Sequence, residues 1–287
     1  MKFPNYFADA ESNLDEAEFV ITGIPYDKTS SFRRGAIKAP EKIREASWNF
    51  ETFDIENNVD IKDIRIHDYG DLFVEKETPA CMYEIVKKHF AKILLKNKTP
   101  VTIGGEHSIT PGIVHAFPKE IAVLSLDAHI DYRQKYENEK FNHACAIRRI
   151  ADHIDIENIA VLGIRSAEKK EFEDAKRDKL FYKTSFGFRK EGIKEILKQT
   201  KKYLGDKPIY LTLDIDVIDP AYAPGTSTPK PFGLTSFDIM ECIRFFSPQI
   251  IGFDLVEVCP NYDNGETSIL AAKIIRKTIA ETALSKQ

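Results

Sequence analysis

The stretch Ile121-Ala-Val-Leu-Ser-Leu-Asp127-Ala-His129-Ile-Asp131 decides how the chain is read. An uncharged, largely aliphatic run forms a buried strand, and three metal-competent side chains follow it at a spacing of two. In extended chain, residues two apart face the same way, so Asp127, His129 and Asp131 converge at the strand's carboxyl end. Unpaired charges there would be costly to bury, which favours a ligand cluster over three unrelated polar residues.

The pattern recurs at Tyr210-Leu-Thr-Leu-Asp214-Ile-Asp216-Val-Ile-Asp219, where an apolar strand again runs into paired carboxylates. Like charges this close raise one another's pKa unless a cation neutralises them. The plainer reading of Asp214, as a helix-capping residue with a solvated neighbour, stays open at this point. Upstream, the strand Thr99–Ile103 leads into Gly104-Gly105-Glu106-His107-Ser108, where the glycines let the backbone turn tightly and bring His107 to a crowded site. Alone, His107 would be an ordinary loop residue; its weight comes from the aspartates. Four carboxylates and two imidazoles suit two divalent ions, manganese foremost, better than one tetrahedral zinc. Such a pair ionises a water near neutral pH for attack on an electrophilic carbon, and the chemistry is then hydrolysis.

Outward from these motifs, short aliphatic runs alternate with longer amphipathic segments, the mark of an α/β fold with a mostly parallel sheet. Strands are expected at Glu18–Ile24, Ile64–Tyr69, Thr99–Ile103, Ile121–Asp127, Ile159–Ile164, Ile209–Asp214 and Ile250–Leu255. Helices are expected at Pro79–Lys96, from Ser108 or Thr110 to Phe117, and at Ala144–Asp152, Glu168–Lys176, Lys190–Tyr203, Ser236–Phe246 and Thr267–Leu284. The loop Asp219–Thr235, dense in Pro and Gly, follows a strand end and is placed to shape the rim of a site.

Composition narrows the classes. The 287 residues, 43% hydrophobic and 30% charged, are those of a globular chain that can close around one core. A net charge of −4 with no basic face argues against nucleic acid as partner. No leader-like apolar segment opens the chain and no apolar run is long enough to span a bilayer, so neither a membrane partner nor secretion is expected, and a cytoplasmic location is. Cys81, Cys145, Cys242 and Cys259 are too dispersed for a thiolate zinc site or redox pair.

Gly104-Gly105-Glu106-His107, Asp127-Ala-His129-Ile-Asp131 and Asp214-Ile-Asp216-Val-Ile-Asp219-Pro220, in this order, resemble the motifs of the ureohydrolases, the arginase and agmatinase family. The resemblance spans nearly the whole chain, because Gly23-Ile-Pro-Tyr-Asp27, Arg34-Gly-Ala36 and Val256-Glu257-Val258 also look like agmatinase segments. It implies a single ureohydrolase domain over 1–287 with the three-layer α/β/α arginase-like fold, assembled as a homo-trimer or homo-hexamer. It further implies two manganese ions per chain, one held by His107 and Asp131, the other by His129 and Asp216, with Asp127 and Asp214 bridging. His143, in Phe141-Asn-His-Ala-Cys145, would transfer a proton beside the substrate, and Glu257 would pair with a guanidinium; both join Asp131 as expected catalytic residues.

Two residues depart from the family pattern, Ser227 and Phe232, each where glycine is usual, and both bear on the shape of the substrate channel. Tyr132-Arg133-Gln134-Lys135 lacks the Asn-containing segment with which arginases hold an amino-acid end. The small guanidino compound expected as substrate is therefore agmatine, cleaved to putrescine and urea in polyamine synthesis. Glu137 and Glu139 stand as candidates to attract a cationic tail, or as a solvated acidic loop. Aminopropyl-agmatine, arginine, guanidinobutyrate and formiminoglutamate remain open, as do a single-zinc deacetylase of similar fold and a catalytically silent binding subunit.

Overall fold

The computed structural model describes residues 4–286. Along the chain run β1 (Phe19–Gly23), α1 (Ala39–Ser47), β2 (Phe53–Asp54), β3 (Val59–Asp60), β4 (Ile66–Asp71), α2 (Pro79–Leu95), β5 (Thr99–Ile103), α3 (Thr110–Val114) and β6 (Ala122–Leu126). Then follow α4 (Ala146–Ile150), β7 (Ile159–Ile164), α5 (Lys169–Arg177), β8 (Phe181–Thr184), α6 (Ser185–Glu191), α7 (Ile193–Leu204), β9 (Ile209–Asp214), α8 (Ser236–Phe246), β10 (Ile250–Val256) and α9 (Glu266–Leu284). Eight strands pair in parallel in the order β4-β1-β5-β10-β9-β6-β7-β8, and β2 and β3 form a separate hairpin.

The aliphatic runs alternate their side chains between the two faces of this sheet. In β7, Ile159 and Val161 enter one apolar cluster while Ala160 and Leu162 enter the other. One cluster gathers residues of α1, α7, α8 and α9, and the other those of α2, α3 and α4, which makes the three-layer α/β/α arrangement expected above. Local signals set the helix starts: the Thr78 hydroxyl accepts the Cys81 N–H at 3.3 Å with Pro79 in the first turn, and Thr235 with Asp238 makes a capping box for α8. In α9, Arg276 is 1% exposed and donates to Asp9 at 2.6 Å and to the Glu51 carbonyl at 3.0 Å, tying the two ends of the chain together.

Some elements differ from the expectation. The segment expected as one helix, Lys190–Tyr203, is divided at Gly192, whose φ of 83° ends α6 before α7 begins. Strand β8 is a short edge strand whose residues are all half-buried, and α1 shows only a sparse apolar face, so neither carries a strong periodic signal. Three of the four cysteines are buried thiols and Cys81 is exposed. Among the described residues no helix is long and apolar enough to cross a membrane.

This packing half-buries two histidines and disfavours their charged forms. Burial pushes His89 and His115 down to about 4. The Nε2–H of His115 donates to the Arg149 carbonyl at 2.8 Å, and Nδ1 accepts from the Tyr83 hydroxyl at 2.5 Å, so protonating Nδ1 would break the second bond. Between about 6.5 and about 4 the unfolded chain therefore binds protons that the folded chain refuses. Stability is fully present above that window and is lost as pH falls through it. Thermal melts should show Tm dropping by several degrees across the window, with a shallower drop in His115→Asn.

Candidate metal centre

Four adjacent central strands, β5, β10, β9 and β6, deliver the site from their carboxyl ends, the edge at which ligands bind in open parallel sheets. After β5 comes the glycine pair. A Cβ on Gly104 would lie 2.5 Å from the Val256 side chain, and one on Gly105 would lie 2.0 Å from the Tyr26 carbonyl oxygen, so only glycine lets β5 run this close to its neighbours. His107 then enters the centre and is 1% exposed.

Its Nδ1 lies 3.2 Å from Asp127 Oδ2, 3.1 Å from Asp131 Oδ2 and 3.6 Å from Asp214 Oδ2. On the other side His129 Nδ1 lies 2.9 Å from Asp216 Oδ2 and 3.7 Å from Asp127 Oδ1. Two acid–imidazole clusters thus form, His107/Asp127/Asp214 and Asp127/His129/Asp216, and they share Asp127. All six residues expected as ligands are brought together.

The route differs from simple strand alternation. Strand geometry stops at Leu126, and Asp131 reaches the centre because its backbone turns left-handed, at φ 46°. Asp216 sits in a 3-10 turn, Ile215–Val217, and Asp214 caps that turn by accepting the Asp216 N–H at 2.9 Å. Asp214 is thus a cap, but the solvated neighbour of the plainer reading is not found, since Asp216 is 1% exposed, and the Asp214 Oδ2 faces His107. Glu257 is likewise left-handed, at φ 66°. It follows β10, accepts the His107 N–H at 2.7 Å, and accepts the Ser227 hydroxyl.

The electrostatics call for a cation. Burial and the neighbouring Asp127 push Asp131 up to about 7, and burial with Asp216 and Asp127 holds Asp214 well above the usual carboxylate range. Burial alone would raise Asp127 too, but hydrogen bonds from His107 and His129 keep it below that range. His107 Nδ1 and Asp127 Oδ2 are buried without a hydrogen-bond partner, although they are 3.2 Å apart. A cation between them would satisfy both, so the donor set fits the metal expected from the sequence. The far side of His107 is already fixed: Thr212 donates its only proton to Asp254 at 2.6 Å, so at 3.0 Å its oxygen accepts from His107 Nε2–H, and Nδ1 is the ring nitrogen turned toward the carboxylates, where a cation would take the place of its proton.

A cavity of about 300 Å³ opens on the centre, lined by His129, Asp131, Asp214, Glu257 and His143. Burial, then the cationic tendency of His129 and His107, pushes His143 down to about 4, so it is a neutral imidazole near neutral pH. At the mouth Arg133 donates to Glu171 at 3.2 Å and stacks over Tyr136 at 4.6 Å, while Glu168 and Lys230 are also at the rim. Glu137 and Glu139 do not line this cavity. Glu137 borders a neighbouring cleft, and Glu139 accepts the Phe141 N–H at 2.8 Å. Phe232 is 72% exposed beside Phe186 and stands clear of the cavity, whereas Ser227 reaches it through Glu257.

One organising residue was not singled out from the sequence. Arg165, just past β7, donates to the carbonyls of Gly163, Asp216, Val217, Ile218, Lys230 and Pro231 at 2.6–3.4 Å. It staples the Asp214–Ile218 turn to the Pro-rich rim. An arginine directly after an apolar strand, at the edge where the aspartates lie, was the signal.

An α/β chain with a doubled acid–imidazole centre at the carboxyl edge of its parallel sheet is thereby defined. The arginase family model matches residues 17–280, and the chain belongs to that family. It is 34% identical over 280 residues to the agmatinase of Bacillus anthracis, covering 95% of this chain and 94% of that one. It is 32% identical over 273 residues to the N(1)-aminopropylagmatine ureohydrolase of Thermococcus kodakarensis, covering 94% and 92%. The agmatine ureohydrolase of Thermoplasma volcanium superposes with a TM-score of 0.93 at 39% identity, over 99% of this chain and 96% of that one.

Arg165→Met leaves several partly buried carbonyls unpaired and should cost roughly 3 kcal/mol in urea denaturation. Arg165→Lys should recover only part of this, because an ammonium cannot span so many acceptors.

Proposed function

We propose that the chain is a manganese-dependent ureohydrolase that cleaves agmatine to putrescine and urea. The observation that carries this reading is the pair of clusters sharing Asp127, with Glu257 beside them in one cavity. His107 and Asp131 would hold one ion and His129 and Asp216 the other, with Asp127 and Asp214 between them. The ions, when bound, supply a water ionised near neutral pH and aimed at the substrate carbon.

The remaining work falls to the chain's own groups. Glu257 is buried and oriented by its bonds to His107 N–H and Ser227, so its carboxylate meets the parallel N–H groups of a planar guanidinium and fixes where the central carbon lies. Asp131, between His107 and the cavity, belongs to the same reacting wall. His143, neutral and lining the same cavity, relays a proton to the departing amine nitrogen. The Pro-rich rim, stapled by Arg165, keeps this geometry stiff. The whole of 1–287 acts as one ureohydrolase domain in this reading, assembled as the trimer or hexamer that the family resemblance implies.

At the mouth the Arg133 guanidinium gives its Nε–H to Glu171, which offsets its charge, while Glu168, with its side chain 58% exposed, can meet a terminal ammonium. Aminopropylagmatine is the second reading, favoured by the likeness to the Thermococcus kodakarensis enzyme at nearly the same identity. Lys230 and the terminal N–H groups of Arg133 are the rim donors that would favour a carboxylate instead.

With manganese supplied, urea release should have its highest kcat/KM on agmatine among agmatine, aminopropyl-agmatine, arginine and guanidinobutyrate. A preference for arginine or guanidinobutyrate overturns the substrate. Metal titration should reach two ions per chain, where one tightly held zinc would indicate a deacetylase. Asp127→Ala removes the shared ligand and should lower kcat by more than the roughly 10- to 100-fold seen when only an outer partner of a ligand is lost; unchanged turnover would discard the mechanism, whereas no urea from any of these substrates with the unsubstituted chain would leave a silent binding subunit.

A further inference from the structure

Thr29, Ser30 and Glu106 belong to neither acid–imidazole cluster, yet they are built around the cavity's own histidine. Glu106 is fully buried. Its Oε2 accepts the Thr29 N–H at 2.8 Å and the Ser30 hydroxyl at 3.2 Å, and its Oε1 accepts the Thr29 hydroxyl at 2.7 Å and the Ser108 hydroxyl at 2.6 Å. Burial raises this carboxyl group above its usual range, and the four donors aimed at it act the other way, favouring the charged, accepting form. The loop that carries Thr29 can lie this close because Gly105 has no side chain and the Glu106 N–H donates to the Tyr26 carbonyl at 2.8 Å.

A threonine hydroxyl has one proton and two lone pairs. The Thr29 proton is taken by Glu106. One lone pair accepts the His143 backbone N–H at 3.0 Å, and the other faces His143 Nδ1 at 3.2 Å. With no proton left to give, Thr29 can only accept from Nδ1, so Nδ1 must carry the hydrogen. His143 Nε2 then keeps its lone pair, 3.5 Å from the hydroxyl of Ser31, which lines the cavity as His143 does.

We propose that Glu106 and Thr29 are positioning residues that lock His143 into its Nδ1–H tautomer, leaving Nε2 as the one ring atom able to take up and deliver a proton. The inference rests on the reading of His143 as the proton carrier. In that step the water oxygen bonds to the guanidinium carbon and one of its protons passes by way of Nε2 to the amine nitrogen as the carbon–nitrogen bond breaks; its second proton leaves as the carbon–oxygen double bond of urea forms and is taken up by the released amine, so the charge of the guanidinium ends on an ammonium. No further reactant is needed. The opposite tautomer would turn the Thr29 proton away from Glu106 and leave that carboxylate short of a donor in the interior.

Ring-15N histidine spectra of the full-length chain, with His143 assigned by its loss in His143→Gln, read the tautomer without any substitution at Thr29. A protonated Nδ1 and a bare Nε2 are expected; the reverse overturns the proposal. In manganese-supplied assays Thr29→Val should lower kcat about 10- to 100-fold with KM little changed, a part of the roughly 10²- to 10⁴-fold that a positioned proton-transfer group contributes. Thr29→Ser should restore it. In the Thr29→Val/His143→Gln double variant the two losses should not add; additive losses would mean that Thr29 only holds its loop and would overturn the proposal. Undiminished kcat in His143→Gln sinks the proton-carrier role itself, whereas a large loss there with Thr29→Val unaffected sinks only the positioning.

Discussion

The structure turns on carboxylates packed where carboxylates repel. Asp127, Asp131, Asp214 and Asp216 lie buried within reach of two imidazoles, and each charge there is costly unless it is balanced. The imidazoles neutralise part of that charge, as the depressed Asp127 shows, but Asp131 and Asp214 remain raised. Metal cations are what this kind of donor set would take to balance the rest. Everything else in the carboxyl edge of the sheet follows from holding those groups together.

Several local features then read as consequences. The glycine pair after β5 removes side chains that would keep that strand from Val256 and Tyr26. Asp131 and Glu257 occupy left-handed backbone, uncommon for side-chain-bearing residues and tolerated where surrounding contacts over-determine the geometry. Arg165 gathers carbonyls that a turn carrying Asp214 and Asp216 leaves pointing inward. The large parallel sheet supplies the rigidity that such a crowded edge requires, with an apolar cluster on each face.

Much of this was legible from one sequence. The boundaries of β5, β7, β9 and α8 fall where the apolar runs and caps put them, because continuous buried strands and a Thr–Asp capping box are strong local signals. The six clustered acid and imidazole residues were legible because strand ends announce them. The reason Asp131 points inward was not, since it lies in a single backbone angle. His143 had no local mark and was found only through family resemblance. Thr29 and Glu106 could not be seen at all: their partners lie 77 and 114 residues apart in the chain, and short hydroxyl-bearing loops are ordinary. Glu137 and Glu139 show the converse, acidic residues whose promise depended on a loop path that leads elsewhere.

The two histidines that face the cavity's chemistry from inside the protein, His107 and His143, are governed by one arrangement used twice. In each, a buried carboxylate claims the only proton of a threonine, Asp254 from Thr212 and Glu106 from Thr29. The threonine oxygen is then an acceptor and dictates which ring nitrogen carries hydrogen. Because the threonines approach opposite nitrogens, the outcomes differ. His107, with Nε2–H fixed, turns Nδ1 to the carboxylates, where a cation would replace its proton, and His143 keeps a bare Nε2 at the cavity wall, suited to a proton. A neutral imidazole offers one lone pair, and this chain decides where each is spent through residues that touch neither ion nor substrate. Their burial makes the choice stable, since reversing it would strand a donor or an acceptor in the interior.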